Sequence, residues 1–208
     1  MMKSKLNGFS PKATVFLLLV AFCVATVSFS SPAFAKKPKE KKTEKTDSKV
    51  DHYQQGNQFI KQGKLEEAIH EYEEELRVHP KNANAHNNLA NTLISRGKIQ
   101  ESIQHFKEAV KIDPNFLEAQ NNLGVTLASG GQLDEAVKEL SNSVKQHPDS
   151  ADLQNSLGTV LAQQGKMDEA ANHFSQAMKL RPNFEKAKQN FELAVRANEV
   201  LVKADTKK

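Results

Sequence analysis

A proline recurs every 34 residues, at Pro80, Pro114, Pro148 and Pro182, and a glycine keeps the same spacing at Gly63, Gly97, Gly131 and Gly165. No insertion breaks either series. A fixed period of this size means that one small unit is stacked on copies of itself, because a single unit cannot bury its own apolar face. With the proline at place 32, the repeats run 49–82, 83–116, 117–150 and 151–184, and a half-repeat starts at Glu185.

Each unit carries two helical patterns. Place 7 is Gln55, Leu89, Leu123 and Leu157; place 8 is Gly56, Ala90, Gly124 and Gly158; place 11 is Phe59, Leu93, Leu127 and Leu161. Places 7, 8 and 11 share one face of a helix, and the small residue at place 8 lets a neighbouring helix come close. The glycine at place 15 ends this first helix in the left-handed conformation that suits Gly. The second helix has its own stripe: Leu65, Ala68, Ile69, Tyr72 and Leu76 in the first repeat, and Ile99, Ile103, Phe106, Ala109 and Val110 in the second. Leu133, Ala136, Val137, Leu140 and Val144 follow in the third, and Met167, Ala170, Phe174, Ala177 and Met178 in the fourth. The proline stops it, lacking an N–H and clashing with the turn before it. No strand-like alternation appears. The run Glu71–Glu75 reads as a solvated helix face.

This pattern resembles the tetratricopeptide repeat. The resemblance rests on Asn88-Leu89-Ala90, Asn122-Leu123-Gly124 and Ser156-Leu157-Gly158, on the second-helix alanines Ala68, Ala136 and Ala170, and on the aromatics Tyr72, Phe106 and Phe174. It covers residues 49–203. The family's tryptophan is missing, and place 4 is His52, His86, Gln120 and Gln154. The resemblance implies an all-α fold, an α-solenoid of stacked helix-turn-helix repeats in a right-handed superhelix, occupying residues 51–203. A capping helix over 185–203 is expected to bury Phe191, Val195 and Leu193, with a disordered tail over 204–208.

The resemblance also assigns a concave surface to places 2, 5, 6, 9, 12 and 13 of the first helices. Tyr53, Asn87, Asn121 and Asn155 stand at place 5, Asn88, Asn122 and Asn190 at place 6, and Asn57 and Asn91 at place 9, where Val125, Thr159 and Leu193 continue the series. An asparagine amide donates and accepts, so such a row can pair with the backbone of an extended peptide. In similar proteins these asparagines hold a partner segment. The bland alternative is a row that keeps the wall soluble. Under the first reading, replacing Asn88 and Asn122 by alanine leaves thermal stability nearly unchanged. Glu118 and Asp152 at place 2 favour a neutral or basic ligand segment. The family's clamp for chaperone tails needs basic residues where Tyr53, Glu118 and Asn122 stand, so no such clamp is expected.

Catalysis, metal and cofactors find no support. The seven histidines include no helical pair with a nearby acid at zinc-site spacing, and those that share a repeat place reflect repeat inheritance. No serine or cysteine can be set beside a base, and a single cysteine excludes a disulfide framework. The expected partner is a protein or peptide. Net charge is +4, yet residues 51–208 carry 19 basic and 22 acidic side chains. The basicity lies outside the repeats, which argues against a nucleic-acid-binding face.

That basicity is N-terminal. Lys3, Lys5 and Lys12 precede 23 uncharged, largely apolar residues that end in Ala33-Phe34-Ala35. This is the form of a signal peptide over residues 1–35, cleaved after Ala35, and implies export to the periplasm or cell envelope. Uncleaved, residues 13–35 are long enough to anchor the chain in the inner membrane, as a structural component whose groove is incidental. Residues 36–50 hold seven lysines and almost nothing to bury, the composition of a disordered linker. Its charge gives a second route to membrane association.

Overall fold

A computed structural model describes residues 51–205. The proposed signal segment, the lysine-rich linker and residues 206–208 lie outside them. Among the described residues nine helices follow one another: α1 (His52–Lys61), α2 (Leu65–Val78), α3 (Ala83–Ser95), α4 (Ile99–Ile112), α5 (Leu117–Ser129), α6 (Leu133–Gln146), α7 (Ala151–Gln163), α8 (Met167–Leu180) and α9 (Glu185–Asp205). The same residues include no strand, and no helix among them is long and apolar enough to cross a membrane. The chain is an all-α solenoid. Odd-numbered helices are the first of each pair and even-numbered ones the second, and α9 packs on α8 and α7 at the end of the stack.

The turns follow from local chemistry. Asp51, Asn82 and Ser150 cap α1, α3 and α7, their side chains accepting from the backbone N–H of Gln54, Ala85 and Leu153. Gly63, Gly97, Gly131 and Gly165 all have φ between +71° and +82°. Each donates its N–H three residues back, as Gly97 does to Ile94 (2.8 Å), and the next residue reaches five back, as Lys98 does to Leu93 (2.9 Å). These two bonds satisfy the last carbonyls of the first helix and reverse the chain within three residues.

The core lies between the two helix layers. Leu89, Leu93, Leu123, Leu127, Leu157 and Leu161 of the first helices meet Ile103, Phe106, Leu140 and Phe174 of the second, all buried. The glycines at place 8 leave no room for a side chain. A Cβ on Gly56 would stand 2.6 Å from Tyr72 Cε1, and one on Gly158 would stand 2.7 Å from Phe174 Cε1. The last helix departs from expectation. It buries Ala187, Ala194 and Ala197 and half-buries Phe191 and Leu193, while Val195 is 36 % exposed. Its covered side joins these alanines with Phe191, which packs against the core, and Val195 lies off that side. The Glu71–Glu75 run is corrected too. Tyr72 and Glu75 are buried, Glu75 accepts from Asn82 (2.8 Å) and meets His79 (3.0 Å), and Glu71 meets His52 (2.7 Å).

Place 4, where the family's tryptophan is missing, has become a polar staple. His86, Gln120 and Gln154 each set a side-chain nitrogen against the carbonyl of the preceding repeat's proline, Pro80, Pro114 or Pro148 (3.2, 2.5 and 3.4 Å). The same residue reaches place 23 of its own second helix: His52 meets Glu71, His86 meets His105, and Gln154 meets His173. The third repeat breaks the rule. Its place 23 is Glu139, which only accepts, and Gln120 Oε1 is left buried without a partner. Glu139→His recreates the Gln154–His173 pair and gives that oxygen a donor. A satisfied buried acceptor contributes about 1 kcal/mol, so the melting temperature is expected to rise by roughly 2–4 °C. Thermal unfolding by circular dichroism checks this, and an unchanged or lower value contradicts it.

Candidate peptide-binding face

The asparagines of the first helices form a ladder across repeats. Asn88 of α3 donates to Asn57 Oδ1 (3.0 Å) and the Tyr53 hydroxyl (3.3 Å) of α1. Asn122 of α5 donates to Asn87 Oδ1 (3.3 Å) and Asn91 Oδ1 (3.4 Å) of α3. Ser156 of α7 donates to Asn121 Oδ1 of α5 (2.6 Å), and Asn190 of α9 donates to Asn155 Oδ1 of α7 (3.1 Å). Place 6 of each repeat thus donates to place 5 of the repeat before it, and to place 9 where an asparagine stands there.

Burial divides the row. Asn87 is 1 % exposed and Asn155 is buried as well, while Asn57, Asn88, Asn91, Asn121, Asn122 and Asn190 are half-buried. Asn87 also donates to Glu118 Oε1 (3.1 Å) and, at 3.4 Å, to Asn88 Oδ1. At the N-terminal end the Tyr72 hydroxyl donates to Asn57 Oδ1 (2.8 Å). Burial pushes that hydroxyl up to about 12, so it stays a neutral donor. Tyr53 lies half-buried, its ring centroid 6.2 Å from that of Tyr72.

These bonds give the asparagines a structural part that the sequence expectation lacked. The stability expected to survive loss of Asn88 and Asn122 is corrected, because their amides join α3 to α1 and α5 to α3. The charge reading changes with it. Asp152 is paired bidentately with Arg181 (3.0 and 2.6 Å) at the surface, whereas Glu118 accepts from the neutral Asn87 amide and keeps its charge. Arg181 stands one residue before Pro182, outside the places assigned to the concave surface, and place counting alone does not connect it to Asp152.

The stripe at place 9 also keeps polar groups outside the ladder. Asn57 and Asn91 spend their Oδ1 atoms in the ladder, and among the described residues no partner takes their Nδ2 groups. Val125 continues the stripe and is 43 % exposed, followed by half-buried Thr159 and Leu193. A β-branched apolar residue where two repeats carry asparagine is the sequence signal for this spot. Among the described residues no group of three or more His, Cys, Asp or Glu side chains could hold a metal ion.

Tetratricopeptide repeat models match residues 53–115, 93–158 and 151–184, so together they span the four repeats. The chain belongs to the tetratricopeptide repeat family. Among solved structures it is similar to MamA protein, with a TM-score of 0.65 and 23 % identity over 74 % of this chain and 85 % of that one. MamA from Desulfovibrio magneticus RS-1 gives 0.62 and 21 % identity over 75 % and 94 %. YrrB, described as a tetratricopeptide repeat protein with an unusual peptide-binding site, gives 0.61 and 25 % identity over 66 % and 71 %. No curated protein matches the sequence significantly. Fold and family make the chain a protein-interaction scaffold.

Proposed function

We propose that this scaffold is an exported adaptor of the cell envelope that holds an extended partner segment along its concave face. The observation that carries the reading is the place-9 stripe, where Asn57 and Asn91 keep free amide donors and Val125 stands exposed among polar neighbours. The ladder bonds set α1, α3 and α5 side by side, and an extended chain advances about 3.3 Å per residue across them. A segment crossing the stripe can therefore give a backbone carbonyl to Asn57 and another to Asn91, then seat an apolar side chain on Val125. The ladder beneath fixes the asparagine rotamers, which lowers the entropy cost of binding. Among the groove residues, Asn57 and Asn91 contact the segment in this reading. Tyr53, Asn88, Asn121, Asn122 and Asn190 flank it, Asn87 and Asn155 support it from beneath, and Glu118 and Asp152 stand at place 2.

The similarity to YrrB, which has a peptide-binding site, supports the ligand class. Export rests on residues 1–35 of the sequence, and a mature N-terminus at Lys36 would separate it from a retained anchor. Selection of a displayed random-peptide library on the chain tests the groove. Val125→Lys is expected to weaken the selected peptides at least roughly tenfold while its melting temperature stays that of the wild type. Equal affinity for both proteins would move the binding surface elsewhere.

A further inference from the structure

The second repeat holds a contact that the other repeats lack. His86 of α3 and His105 of α4 face each other with Nδ1 atoms 3.0 Å apart and ring centroids at 5.3 Å. At the same two places the first repeat pairs His52 with Glu71, and the fourth pairs Gln154 with His173. Those pairs each include a partner able to accept from a charged imidazole. Two histidines have one such arrangement only. His86 Nε2 lies 3.2 Å from the Pro80 carbonyl, which only accepts, so Nε2 carries the proton and Nδ1 is bare. His105 Nδ1 therefore donates to His86 Nδ1, and His105 Nε2 is the atom left to take a further proton.

We infer that this histidine pair makes the second repeat an acid-labile joint, in which protonation drives α3 away from α4. One added proton, on His105 Nε2, leaves the bond between the rings intact. A second has only His86 Nδ1 to go to, and two N–H groups on two cations would then meet at 3.0 Å. Burial first, and His86 second, hold the His105 imidazolium below the usual histidine range, against the pull of Glu101 and Glu108 on the same helix.

The other packed elements bring little relief. Apart from His86, α3 carries no ionisable side chain. The carboxylates of α2 nearest in register to His86, Glu71 and Glu75, are bonded to His52, His79 and Asn82, and the one charged residue of α5, Glu118, is bonded to Asn87. No carboxylate among the described residues bonds either ring. Two imidazoles also fall short of the three or four ligands a zinc site takes.

In the unfolded chain both histidines titrate near about 6.5. The folded pair resists charge, so the unfolded chain binds more protons below that value. Stability is present above it and falls as the pH drops. Because α3 also carries Asn88 and Asn91, the joint lies beneath the proposed groove. That link rests on the groove reading, whereas the joint itself does not.

His86→Gln isolates the effect, since it installs the Gln–His pair the chain already uses in its fourth repeat, proline contact included. The full chain and the His86→Gln protein are melted between about pH 7.5 and about pH 5.5, on either side of the ordinary histidine value. His173 and the histidine–glutamate pairs are common to both proteins and cancel. On acidification the melting temperature of the wild type is expected to fall further than that of His86→Gln, by roughly 3 °C or more. A wild-type fall no greater than that of His86→Gln overturns the inference. Histidine nitrogen shifts of the wild type at neutral pH give a check that needs no substitution. A protonated His105 Nδ1 beside a protonated His86 Nε2 is expected, and a bare His105 Nδ1 overturns the geometry.

Discussion

Leu123→Ala is expected to lower the unfolding free energy by about 2–5 kcal/mol, the range for removing a buried leucine from a core that cannot collapse around the gap. Leu123 is 3 % exposed on α5, in the third of four repeats, and belongs to one apolar cluster with Leu127 of its own helix, Leu140 of α6 and Leu157 of α7. Packed elements flank it on both sides along the stack, so the cavity stays open. Unfolding is expected to stay cooperative, because each repeat gains much of its stability from the interfaces with its neighbours. Urea denaturation followed by circular dichroism measures both quantities. A cost under about 0.5 kcal/mol, the range of an unremarkable surface change, would contradict the packing.

The double change Asn88→Ala and Asn122→Ala is expected to cost about 1–3 kcal/mol. Loss of Asn122 matters more. It takes the donor from Asn87 Oδ1, and Asn87 is too deeply buried for water to replace it. Loss of Asn88 strands Tyr53 and Asn57, which are half-buried and partly rescued by solvent. The two sites share Asn87, which bonds to both, so their effects should not simply add. The two single variants and the double, melted side by side, give the coupling. A double variant as stable as the wild type would show that the ladder contributes nothing to the fold.

What is legible in the sequence is what short-range chemistry decides. The glycines at place 15, the prolines at place 32 and the apolar stripes act within one helix or one turn, and they place the helices and most of the core. The ladder is half legible. Counting places puts Asn57, Asn88 and Asn122 on one surface, but their partners lie 31 and 35 residues away, one repeat over. Those offsets are three fewer and one more than the period, and only the angle between neighbouring helices makes them meet. Asp152 reads as a groove charge for a similar reason. Arg181 lies 29 residues on, and the stacking brings it back onto Asp152. Val195 fits the helical period, but which side of a final helix is covered depends on the helix before it. Glu75 looks solvated in a run of acids until His79 and Asn82 fold over it.

Labour is divided on one face: asparagines at places 5 and 6 bond repeat to repeat, and the stripe at place 9 is the proposed contact for the partner. One peptide selected on the wild-type chain, titrated against Val125→Lys and against the Asn88/Asn122 double alanine variant with melting curves for both, tests it most directly. Val125→Lys is expected to melt as the wild type and lose the peptide, while the double variant melts lower at every peptide concentration. A double variant that melts as the wild type and loses the peptide, beside a Val125→Lys that binds normally, would contradict it.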